Sequence, residues 1–175
     1  MIALGIVAVL LAAASPEPVP AAAPPAPLPA LPISGALLTA PAALDAAARA
    51  RLPRTSVSAT DPDKRVATYS GVTLASALRD AGAPIGDALR GAPARAYVIV
   101  RAYDGYSAVF ALGELQTTAP ACAPIVADTR DGAPLDAKSG PLRIVAPCDL
   151  THARWVRGIT SLTIVLAPGK DAGPH

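Results

Sequence analysis

The sequence predicts one α+β domain built from mixed or antiparallel sheets of short strands with a few short helices. Three observations carry this. Apolar runs of about four to eight residues, bounded by Gly, Pro and Asp, recur from Ile33 to Leu166. Helical periodicity is confined to a few short stretches, and no repeating strand–helix–strand rhythm of the kind that builds a parallel sheet is present.

Ile33 to Thr39 reads as the first strand. Pro41 opens a short alanine-rich helix through Leu44, Ala48 and Leu52, and Pro53 ends it because its ring cannot continue the hydrogen-bond ladder. Thr55 to Ser58 and Arg65 to Tyr69 flank the turn residues Asp61-Pro62-Asp63, which predicts a hairpin. Leu74, Ala77, Leu78 and Ala81 share one face of a helix from Thr73 to Ala81, capped by Thr73 and stopped by Gly82. Pro84 to Arg90 predicts a further helical turn. Arg95 to Ala102 is a strand with Tyr97, Ile99 and Arg101 on one face, and Asp104-Gly105 turns it back into a partner strand, Tyr106 to Ala111. Leu112 to Leu115 reads as one helical turn and Pro124 to Asp128 as a short buried strand before the turn Asp131-Gly132. Leu142 to Ala146, between Gly140-Pro141 and Pro147, and Ile159 to Leu166 complete the strands, while Cys148 to Arg157 has no clean period.

Composition sets the domain organisation. Residues 1–14 form a signal-peptide-like segment, 15–32 a Pro/Ala-rich linker, 33–168 the folded domain and 169–175 a tail. The uncharged run Ile2 to Ala14 rises only about 20 Å as a helix, short of the roughly 30 Å hydrocarbon core of a bilayer. It ends in small residues suited to cleavage, so the expectation is export, to the periplasm or otherwise, with no transmembrane domain after signal removal. The linker favours extended polyproline II and acts as a spacer. The 15 Lys and Arg against 13 Asp and Glu give a net charge of +2 without any run of like charge, which excludes a nucleic-acid-binding tail. With one Phe, one Trp and four Tyr, the core must rest on Val, Ile, Leu and Ala.

Two cysteines, Cys122 and Cys148, leave two readings open: one disulfide in an oxidising compartment, or two independent buried thiols. Neither lies in a CxxC, and the two histidines are His152 and His175, so a cysteine metal site is disfavoured. There is no GxSxG, P-loop, HExxH or dinucleotide fingerprint. Glu114 stands without a second carboxylate at readable spacing, so it forms no acid/base pair.

An ordered set of motifs extends across the domain: Tyr69-Ser-Gly71-Val-Thr-Leu74, Leu78, Ala81-Gly82, Asp104-Gly105-Tyr106, Gly140-Pro141-Leu-Arg143 and Arg154-Trp155-Val-Arg157. In this order it resembles the oxidoreductase molybdopterin-binding family, the domain of sulfite oxidases. The resemblance implies a sulfite-oxidase-type α+β fold, a pyranopterin cofactor, and a cysteine thiolate on molybdenum, a soft ligand suited to that metal. The thiolate is expected between Ser56 and Arg65, where this chain has no cysteine. Ser58 and Thr60 stand nearest that place, as harder hydroxyl ligands or as caps of the following turn.

The resemblance further implies that Arg154 and Arg157 contact a pterin phosphate or another anion, which a guanidinium can grip with two bonds. His152 and Tyr106 are added as cofactor-side candidates, and Asp104 as the residue that shapes its turn. The functional expectation is an exported module of this fold without molybdenum ligation and with no catalytic residue, acting in binding or accessory roles toward an anionic small molecule or a protein. The alternative is a molybdopterin-dependent oxidoreductase with a non-standard metal ligand.

Overall fold

In the computed structural model, residues 27–116 and 119–169 are described. The signal-peptide-like stretch 1–14, most of the linker 15–32 and all but the first residue of the tail 169–175 lie outside the described residues. In chain order the elements are β1 (Leu31–Gly35), β2 (Ala42–Leu44), α1 (Ala46–Arg51), β3 (Arg54–Thr60), β4 (Val66–Thr73), α2 (Leu74–Asp80), β5 (Ala96–Ala102), β6 (Ser107–Ala111), β7 (Ile125–Arg130), β8 (Ala133–Pro134), β9 (Arg143–Val145) and β10 (Ile159–Leu166). Two five-stranded sheets result. One runs β2-β1-β10-β5-β6, with β1 parallel to β10 and the rest antiparallel; the other runs β3-β4-β7-β8, with β9 also paired to β7. This is the α+β class read from the sequence.

The local chemistry is mostly as expected. Thr73 Oγ1 accepts the Ser76 N–H at 3.0 Å and caps α2, whose Leu74, Ala77 and Leu78 are buried. Gly82 then takes φ 95°, a left-handed position that stops the helix. The helix expected from Pro41 begins later. Ala42–Leu44 pairs antiparallel with β1, burying Leu44, and α1 starts at Ala46 because the Asp45 carboxylate accepts the Ala48 N–H at 2.8 Å. β1 begins at Leu31, two residues inside the stretch read as linker. Residues 112–115 form a turn rather than a helix, fastened where Glu114 Oε1 accepts the Ala111 N–H.

The buried side chains form one continuous cluster drawn from both sheets and α2. Phe110, Val98, Val100, Leu162 and Ile164 come from the first sheet; Val57, Tyr69, Val72, Ile125 and Ile144 from the second. Arg49 is buried on α1, and its guanidinium donates to the carbonyls of Leu28, Pro29 and Leu44, fixing the chain as it enters β1. Cys122 and Cys148 form the disulfide, so of the two readings the bridge holds; it joins the approach to β7 to the segment that follows β9.

Gly71 sits at a bulge where the β4–β7 register shifts, and a Cβ there would lie 2.0 Å from the Val126 carbonyl oxygen. The clash is with backbone in a central strand pair, which cannot yield cheaply. Gly71→Ala is therefore expected to destabilise the domain by about 2 kcal/mol or more, read as a lower urea midpoint at unchanged slope.

Candidate functional site

Hairpin β3–β4, the β5–β6 turn, β9 and the segment 152–157 converge at one end of the molecule around a buried polar cluster. The hairpin closes tightly: Asp61 N–H donates to Arg65 O at 2.7 Å and Lys64 N–H to Asp61 O at 2.8 Å. This places Asp61, 4% exposed, inside the protein. Its carboxylate accepts the Tyr69 hydroxyl on one oxygen and pairs with the Arg130 guanidinium on the other. Arg143, from β9 and 4% exposed, donates to Tyr69 Oη at 3.3 Å and lies between two rings, 5.1 Å from the Tyr69 centroid and 5.3 Å from that of Trp155. Its Nε finds no acceptor, and burial pushes its guanidinium below the ordinary value, although the group stays charged. Arg130 also lies 3.6 Å from the Asp131 carboxylate, while Arg143 reaches Asp61 only through the Tyr69 hydroxyl.

Over this cluster lies a small cleft of about 180 Å³, lined by Asp104, Tyr106, His152, Trp155 and Arg157. Asp104 Oδ1 accepts the Tyr106 N–H at 3.0 Å and shapes the turn. Tyr106 is 48% exposed, and its hydroxyl donates to the Ala153 carbonyl at 2.5 Å, tying the turn to the 3₁₀ turn His152–Arg154. His152 Nε2 is 2.7 Å from the Thr60 carbonyl, which can only accept, so this nitrogen carries the proton. The imidazole also meets Trp155 edge-on at 4.6 Å, and Trp155 Nε1 donates to Ala146 O at 2.9 Å. An antiparallel bridge sets Arg157 opposite Arg143.

The structure brings Tyr106, His152 and Arg157 together and separates Arg154 from them. Arg154 donates to both Asp149 oxygens, at 2.8 and 2.6 Å, and to Glu114 at 2.5 Å, and it packs 4.4 Å over the Phe110 ring. The Asp149 bonds, against the cost of burial, hold its guanidinium above the ordinary value. Arg157 is exposed in the cleft, and no carboxylate lies within ion-pair distance of it among the described residues. Ser58 and Thr60 are exposed on β3, and Thr60 contributes its carbonyl rather than its hydroxyl.

No family model and no curated protein matches this sequence. Among solved structures, the fold is similar to the crystal structure of the sulfane dehydrogenase SoxCD from Paracoccus pantotrophus, with 19% sequence identity and a TM-score of 0.58 over 77% of this chain. The match takes in 37% of that chain, so this protein spans little more than a third of it. The shared architecture is the sulfite-oxidase-type α+β fold.

A thiolate-ligated molybdopterin does not fit the residues present. Both cysteines are consumed in the disulfide, and the stretch where the thiolate is expected is folded into the hairpin turn around Asp61. No group of three or more His, Cys, Asp or Glu side chains able to hold a metal occurs among the described residues. The cleft, at about 180 Å³, is also below the roughly 300 Å³ at which pockets for drug-sized ligands begin.

Burial, and then the hydrogen bond to Asp61, push the Tyr69 phenol up to about 12, with Arg143 opposing. The folded protein holds this proton to a higher pH than the unfolded chain. Stability from the group is therefore complete below about pH 10 and is lost as pH rises toward 12, by on the order of 2 kcal/mol. Phenolate absorbance should show one of the four tyrosines titrating last, and Tyr69→Phe should remove both that step and the alkaline loss of stability.

Proposed function

We propose that this domain is an exported binding module for a small anionic molecule, seated in the Tyr106–His152–Arg157 cleft, and that it works without molybdenum. The observation that carries this reading is the division between the two candidate arginines: Arg154 is neutralised by two carboxylates, while Arg157 faces the cleft with its charge uncommitted. Beneath the cleft Arg130 is balanced by Asp61 and Asp131, so the attraction for an anion rests on Arg157 itself. The Asp104 carboxylate on the cleft wall favours a ligand that also offers a hydrogen-bond donor. A protonated oxyanion such as inorganic phosphate meets both demands, whereas sulfate at neutral pH offers no donor.

Export is supported by the apolar segment Ile2 to Ala14 and by a disulfide whose Cys148 is exposed and would not persist in a reducing compartment. Among the described residues no helix is long and apolar enough to cross a membrane.

Calorimetry at low ionic strength should show phosphate binding more tightly than sulfate. Arg157→Gln should weaken phosphate binding by about tenfold or more, as expected for loss of a charge-assisted pair, with the unfolding midpoint unchanged. Arg154→Ala should instead lower the midpoint and leave phosphate affinity within about twofold, since the cost of losing a structural ion pair falls on folding. Equal affinity in wild type and Arg157→Gln overturns the assignment. Protein recovered from an exporting host should start near Ser15 by intact mass and react with thiol reagents only after reduction; a full-length mass with two free thiols removes the export reading.

A further inference from the structure

The Cys122–Cys148 bridge fastens a segment that has few other holds. From Ala146 to Thr151 the chain pairs with no strand; Asp149 N–H donates to Ala146 O at 3.2 Å, the Asp149 carboxylate holds Arg154, and Leu150 is fully exposed. The other end of the bridge is also outside the sheets, in the 3₁₀ turn Pro120–Cys122. Cys148 is an exposed residue and Cys122 a half-buried one, and neither lies in a strand, so the bridge can be approached without breaking strand pairing. Four residues beyond Cys148 stands His152, a wall of the cleft whose imidazole is held by the hydrogen bond to Thr60 O and the edge-on contact with Trp155, and whose carbonyl accepts the Trp155 N–H at 3.0 Å.

We propose that Cys122–Cys148 is a thiol–disulfide exchange site for a dithiol partner, and that opening it unpins the His152 wall. The second half rests on the binding reading above. The dithiol's thiolate attacks Cys148 Sγ, the Cys148–Cys122 bond breaks, and Cys122 leaves as a thiolate that takes up a proton. The dithiol's second thiolate then displaces Cys148, which is protonated in turn. The dithiol ends as a disulfide, two electrons having passed to the protein. With the bridge open, residues 147–151 keep only turn and ion-pair contacts, and the cleft loses its fixed shape.

The test uses the full chain under native conditions, titrated with dithiothreitol, beside the variant Cys122→Ser/Cys148→Ser. Alkylation followed by mass reads the bridge, amide hydrogen exchange reads local opening, and calorimetry with inorganic phosphate reads the cleft. The bridge is expected to open while the amides of β4, β5, β7 and β10 stay protected, with exchange at 147–152 rising about tenfold or more, as local opening without global unfolding requires. Phosphate affinity should fall at least about threefold, in the reduced protein and in the variant alike, and recover on reoxidation as a coupled site would. A bridge that resists dithiothreitol until the sheet amides exchange, or that opens with exchange at 147–152 unchanged, overturns the proposal. Local opening with phosphate affinity unchanged overturns the coupling. If the oxidised protein binds no phosphate at all, the binding reading falls by itself, and the exchange site is judged on the alkylation and amide data.

Discussion

One buried carboxylate organises this end of the molecule. Asp61 accepts the Tyr69 hydroxyl from β4 and pairs with Arg130 from β7, while Tyr69 in turn receives Arg143 from β9 and meets Trp155 edge-on at 5.8 Å. A charge in the interior is tolerated only when it is paired and hydrogen-bonded. The requirement therefore fixes the tight hairpin that carries Asp61, the close approach of β9 and the position of the tryptophan. Removing Asp61 would leave the Tyr69 hydroxyl without its acceptor and Arg130 with only the longer 3.6 Å contact to Asp131, a heavier penalty than the loss of a single bond. The cleft is the outer surface of this arrangement, and its wall residues inherit their positions from it.

That arrangement also bears on the metal question. In this chain the space and the hydrogen-bonding capacity at the end of β3 are taken by Asp61 and its partners, and the two sulfur atoms are covalently joined elsewhere. The fold is similar to that of a sulfane dehydrogenase, and the stretch where the resemblance places a thiolate carries Asp61 and its ion cluster. A shared frame does not carry chemistry with it, since function resides in the site and not in the frame.

Much of the frame was legible in the sequence because it depends on local rules. The Thr73 cap, the Gly82 stop, the Asp104-Gly105 turn and the alternation in Ile159–Leu166 each state their structure within a few residues. Ala42–Leu44 was misleading because alanine-rich composition favours helix, whereas pairing with β1 and burial of Leu44 decided for strand. The site was only partly legible. Tyr106 and Arg157 belong to the motifs and His152 stands beside one of them, but the difference between Arg154 and Arg157 depends on Asp149 and Glu114, and Glu114 lies forty residues away in sequence. Arg130 and Asp61 gave no signal of being partners, since their pairing exists only once β7 lies beside the β3–β4 hairpin. Arg143 was present in a motif, yet its burial between two rings is a tertiary fact.

The central claim is that this domain holds an ion cluster where the resemblance places a metal ligand. It is tested most directly by measuring molybdenum and released pterin in folded protein purified from a host that synthesises the cofactor, beside a molybdopterin-binding control. The account predicts neither species above background in protein whose Cys122–Cys148 disulfide is intact. Stoichiometric molybdenum would contradict it.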